Sequence, residues 1–152
     1  MFLWTKSLTG KTGVALIAGT AFATLPFHQA HFLAGHLNIA GIQWFPLYFW
    51  GLFEIIKPEP VKQRVKFSLI AGAALGLIGL TSMYYLYMTA LVTLVILVIN
   101  LFFVRKRVLK WQYWSSFLWM GLLALPLIAL ALWPFLALEN QVSMPVRDIS
   151  VA

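Results

Sequence analysis

Hydrophobic positions fall in long runs along this chain, and polar positions fall in short clusters between them. Five runs stand out, at about 12–27, 38–56, 67–80, 83–104 and 114–136, and each predicts a membrane-spanning helix. The clusters are TGKTG with Lys6 and Lys11, the segment Lys57–Lys66, the pair Thr81–Ser82, the segment Arg105–Lys110, and a polar tail over 137–152. This pattern reads as one all-α domain over residues 1–152, a polytopic helical bundle of about five transmembrane helices. Proline sets several expected boundaries. Pro26 kinks the first run, Pro58 and Pro60 end the second, and Pro126 and Pro134 break the fifth, because proline removes a backbone donor and crowds the preceding turn. The opening MFLW has no positive charge before its apolar residues, so it is not a signal peptide. It reads as the last turn of an upstream helix, and both ends lead to the expectation of a piece of something longer or of a protein that works inside a larger assembly.

Composition supports the membrane reading. The 152 residues are 62% hydrophobic and 10% charged, where soluble domains carry about a quarter charged residues. The formal charge is +7, with the cations gathered between apolar runs. That arrangement suits lipid head groups and argues against nucleic acid. Cysteine is absent, which excludes disulfides, thiolate metal sites and a cysteine nucleophile. Gly72 and Gly76 form a G-x-x-x-G on which a second helix can lie closely. Tyr84, Tyr85 and Tyr87, and Trp111, Tyr113, Trp114 and Trp119, form interfacial aromatic belts. The GKT triplet at Gly10–Thr12 lacks the first glycine and the preceding strand of a phosphate-binding loop. Glu54, one turn before Lys57, reads as an interfacial ion pair.

The basic residues also give an expected orientation. With Lys6 and Lys11 in the cytoplasm and five alternating spans, ten of the eleven lysines and arginines fall on the cytoplasmic side, leaving only Arg147 outside. The positive-inside rule then places the N-terminus in and the C-terminus out. The stretch Pro26–Pro46, the turn Ser82–Tyr85 and the tail would share the outer face of a multi-pass protein of the bacterial inner membrane.

The polar side chains of Pro26–Pro46 are the candidate chemistry. His28, His31 and His36 are the only histidines of the chain, and Asn38 and Gln43 follow them. His28 and His31 can share a helix face. His36 would lie about 140° from His31 on a continuous helix, so joint metal ligation needs a kink or a re-entrant turn. A histidine-ligated metal or pigment is therefore the alternative to an expectation of no cofactor, in which the imidazoles bond to backbone, water or lipid phosphate. No serine–histidine–acid set is legible. Glu54 and Glu59 lie on the cytoplasmic side, and Glu139 and Asp148 lie in the tail, so the chain alone offers no acid–base pair.

The stretch AFATLPFHQAHFLAGHLNIAGIQWFPLYFWGLFEII, followed by a basic loop and LIAGAALGLIGLTSMYYLYMTALVTLVILV, resembles the middle of bacterial polytopic glycosyltransferases of the GT-C type, including YfhO-like proteins. The likeness covers about residues 10–105. It is carried by the proline before the histidines, Gly35–Asn38, Gln43–Pro46 and Thr81–Tyr85. It implies a module that uses polyprenyl-phosphate sugars on the extracytoplasmic face. His28, His31, His36, Asn38, Gln43, Ser82, Tyr84 and Tyr85 would then line the sugar-phosphate side of a cavity as hydrogen-bond partners. The family's essential acidic residue lies in a first extracytoplasmic loop that has no match here, so the expected reading is a GT-C-like core that is not catalytic on its own. The second expectation is a non-catalytic subunit of a larger energy-transducing or photosynthetic membrane complex.

Overall fold

A computed structural model describes residues 1–36, 41–57 and 60–139. The described residues are helical, with no strand among them. Three short helices come first: α1 (Phe2–Thr9), α2 (Thr12–Ala23) and α3 (Pro26–Leu33). A single 3-10 turn at Ile42–Trp44 leads into α4 (Phe45–Ile56). Then come α5 (Val61–Thr81), α6 (Met83–Phe103), the single turn α7 (Arg105–Val108) and the long α8 (Trp111–Glu139).

Among the described residues three helices are long and apolar enough to cross a membrane: α5, α6 and the part of α8 from Trp111 to Pro134. The first two expected spans are helical but short. α2 and α4 have 12 residues each, or about 18 Å at the usual rise, against a hydrocarbon core of about 30 Å. Pro26 bounds the first and the non-helical Gly41 bounds the described part of the second, whose residues 38–40 lie outside the described residues. The expected third span begins earlier than its apolar run. α5 starts at Val61, directly after Pro60, so Lys62, Arg64 and Lys66 ride on its first turns rather than in a loop. Their long stems let the charges reach the interface from helical positions. The expected fifth span is not broken. α8 passes through both Pro126 and Pro134, as lipid-embedded helices do where water does not compete for the freed carbonyls.

The direction of each helix follows from its contacts. α5 packs most heavily on α8, then on α4. Arg64 Nη1 donates to the Gln112 carbonyl at 3.0 Å, Gly72 faces Met120, and Gly79 faces Ile128, so α5 and α8 run parallel. α6, which follows α5 in the chain, packs on α5. Only Ser82, in an extended conformation with φ −162° and ψ 124°, separates α5 from α6. The α5–α8 contact depends on glycine. A Cβ on Gly72 would lie 3.1 Å from Met120 Cα and closer still to its carbonyl oxygen. At Gly76 a Cβ would come within 2.7 Å of Leu127 Cβ. Loss of these side chains is what lets the two backbones approach.

The core lies between α4, α5 and α8. Tyr48, Leu52, Ile55, Ala71, Ala74, Ile78 and Met120 form one buried cluster. Beside it, Tyr48 and Thr93 join hydroxyls at 2.6 Å. Thr93 already donates to the Thr89 carbonyl at 2.7 Å, so Tyr48 is the donor to Thr93 Oγ1. Thr89 in turn donates to the Tyr85 carbonyl. α1 lies along α4 through Trp4, whose ring stacks 5.6 Å from Phe53 and 6.3 Å from Phe49. α2 folds back on α1, with Gly19 against Phe2.

Candidate functional site

The three histidines lie on α3 and the turn that ends it. α3 starts at Pro26, whose fixed φ suits a first helical turn and whose missing N–H is not needed there. It ends in a Schellman turn. Gly35 takes φ +75°, its N–H donates to the Phe32 carbonyl at 3.1 Å, and the His36 N–H donates to the His31 carbonyl at 2.9 Å. This turn reverses the chain and carries His36 back over His31. Their Nδ1 atoms stand 3.3 Å apart, where a continuous helix would have held the two rings on different faces. The ring of Phe27 meets His31 edge-on at 4.4 Å. The re-entrant geometry required for joint ligation is therefore present for two of the three imidazoles.

His28 does not complete a set of three. Among the described residues no three His, Cys, Asp or Glu side chains come together. The His28 Nδ1 is shielded from solvent and has no hydrogen-bond partner among those residues. Asn38 lies outside the described residues. α3 makes only slight contact with the other elements, so the histidine stretch hangs at the margin of the bundle.

The other candidates gather at one end of the bundle. Gln43 lies in the 3-10 turn, exposed, on a recess of about 140 Å³ shared with Trp4, Pro46 and Trp50. Phe45 follows it, and its ring meets Tyr85 edge-on at 5.1 Å. Tyr84 and Tyr85 are 5.9 Å apart, ring to ring. Ser82 and Tyr84 line a cavity of about 390 Å³ with Thr81 and Ala131. Gln43, Ser82, Tyr84 and Tyr85 thus share one end. The basic segments share the other end, where Arg64 bonds to the start of α8 and Lys57 pairs with Glu54 at 2.7 Å.

Two features were not legible as candidates from sequence. The indole N–H groups of Trp4 and Trp50 are buried without partners among the described residues, and both residues border the Gln43 recess. The Tyr48–Thr93 hydroxyl pair lies inside an apolar run. Its only sequence signal is the spacing of Thr89 and Thr93, which puts both on one helix face.

The helices and the apolar surface define the class: a helical, membrane-associated protein with, among the described residues, three helices long and apolar enough to cross a bilayer. Neither a protein-family model, nor a curated protein, nor a solved structure matches the chain.

Proposed function

We propose that this protein is a non-catalytic, membrane-embedded subunit that packs laterally against other membrane chains. The observation that carries this reading is the use made of its polar groups. The buried hydroxyls of Tyr48, Ser68, Thr89, Thr93 and Ser116 each close a hydrogen bond within or between helices. The buried carboxylate of Glu54 is held by Lys57. These are the bonds of a scaffold, with no described acid–base pair facing a cavity. A second feature agrees. The helices break at Thr24–Leu25 and again at Gly41. Backbone breaks at membrane depth are stable where protein or an aqueous cavity surrounds them, and α3, which follows the first break, makes only slight contact with the rest of its own chain. In this reading the basic end faces the cytoplasm of a bacterial inner membrane, and the end that carries Gln43, Ser82 and Tyr84 faces out.

The test is photo-crosslinking in native membranes. A benzophenone amino acid replaces Leu94 on α6 or Leu122 on α8, both well exposed, and buried Leu52 serves as control. Discrete protein adducts from Leu94 or Leu122, absent from the Leu52 variant, are expected. Lipid adducts alone from both outer positions would overturn the subunit reading.

A second reading keeps the resemblance to lipid-linked-sugar glycosyltransferases, and the cavity beside Ser82 and Tyr84 favours it. There the two hydroxyls would meet a sugar phosphate. Binding of a polyprenyl-phosphate sugar that Tyr84→Phe weakens would support it, and no binding to the intact chain would refute it.

A further inference from the structure

We propose that His31 and His36 form a two-imidazole site for a transition-metal ion of zinc's character, completed by water. The inference stands on the Schellman turn and on the distance it sets, and it is independent of the subunit reading. Zinc takes imidazole nitrogen at about 2.0–2.1 Å in tetrahedral geometry, which puts two ligand nitrogens about 3.3–3.4 Å apart. The two Nδ1 atoms are 3.3 Å apart. A direct hydrogen bond between the two Nδ1 atoms, which the same 3.3 Å separation allows, is the competing state that an entering ion displaces.

The site is built by the backbone. His36 N–H bonds to the His31 carbonyl at 2.9 Å, one link of the turn that fixes both Cα atoms. Gly35 holds the left-handed conformation the turn demands, at φ +75°. Phe27 packs on His31 and limits where its ring can turn. The rings therefore converge before any ion arrives, which lowers the ordering cost of ligation. For both Nδ1 atoms to donate lone pairs, each ring carries its proton on Nε2. His36 is exposed and His31 half-buried, so an ion can enter with its remaining waters. No redox change or bond cleavage is involved.

The experiment titrates Zn²⁺ alone, against a chromophoric competitor, into the full chain in lipid nanodiscs after removal of any polyhistidine tag. Co²⁺ substitution reports the coordination geometry by its visible absorption. One ion per chain with a tetrahedral Co²⁺ spectrum is expected. His36→Ala removes a ligand and should weaken binding by more than the roughly 10–100-fold that loss of an outer partner causes. Gly35→Ala keeps both imidazoles but strains the turn, and should also weaken binding. His28→Ala should leave it unchanged. Helical circular dichroism of each variant confirms folding. No saturable binding, binding indifferent to His36→Ala, or an equal loss in His28→Ala would each overturn the two-histidine site.

Discussion

Gly72→Ala adds one methyl group at the point where α5 and α8 touch, and its effect can be set against the same substitution at Gly121. At Gly72 the new Cβ meets the Met120 backbone on three atoms, with Cα at 3.1 Å and the carbonyl carbon at 3.2 Å. Backbone cannot rotate aside as a side chain can, so the helices must separate. Overpacking of this kind costs about 1–3 kcal/mol, while the better helix propensity of alanine returns about 1 kcal/mol. The net expectation is a loss of up to about 2 kcal/mol. At Gly121 a Cβ meets nothing within 4 Å, so only the propensity gain of about 1 kcal/mol remains. The two variants should therefore differ by roughly 1–3 kcal/mol, or several degrees in Tm at about 2–4 °C per kcal/mol for a domain this size. The seven tryptophans allow thermal unfolding to be followed by intrinsic fluorescence in one detergent, with titration by a denaturing detergent for the free energy. Equal stability of the two variants, or a more stable Gly72→Ala, would refute the glycine-dependent contact between α5 and α8.

Two further outcomes follow from the polar pairs. Thr93→Val leaves the Tyr48 hydroxyl buried without its acceptor and should cost about 1–3 kcal/mol, whereas Tyr48→Phe removes a donor and should cost about 0.5–1.5 kcal/mol; the same unfolding assay checks the order, and a reversed order would exclude Tyr48 as the donor. Lys57→Met leaves the Glu54 carboxylate, 10% exposed in its side chain, without its cation, so it should destabilise more than the double variant Glu54→Leu/Lys57→Met. A double variant less stable than Lys57→Met alone would show that the pair is not what holds Glu54.

The helical class, the glycine face of α5 and the reversal at Thr81–Ser82 could all be read from residue types, because each depends on local chemistry. Gly72 and Gly76 are four residues apart and have no side chain to keep a neighbour away. Tyr84 and Tyr85 follow the reversal directly. What hydropathy misplaced was the start of α5. Lys62, Arg64 and Lys66 precede the apolar run yet lie within its helix, since Pro60 rather than charge sets the boundary. Pro126 and Pro134 misled in the opposite sense, because a proline inside an apolar helix removes one hydrogen bond without ending the helix. The approach of His36 to His31 required a left-handed residue between them. Ala34–Gly35 carried that signal in the form of a glycine placed just after a helical run. Tyr48 finding Thr93 across 45 positions is tertiary, and no periodicity within either segment encodes the partner.

The lone extended residue between α5 and α6 has a consequence for biogenesis. Two 21-residue helices with so little chain between them form one hairpin, a unit that would have to enter a bilayer as a pair. Its glycine flank stays bare until the ribosome has delivered residues 111–139, the helix that covers it. A stall in translation before Trp111 would therefore strand the nascent hairpin with its tightest contact surface uncovered, the form most open to capture by quality-control proteases.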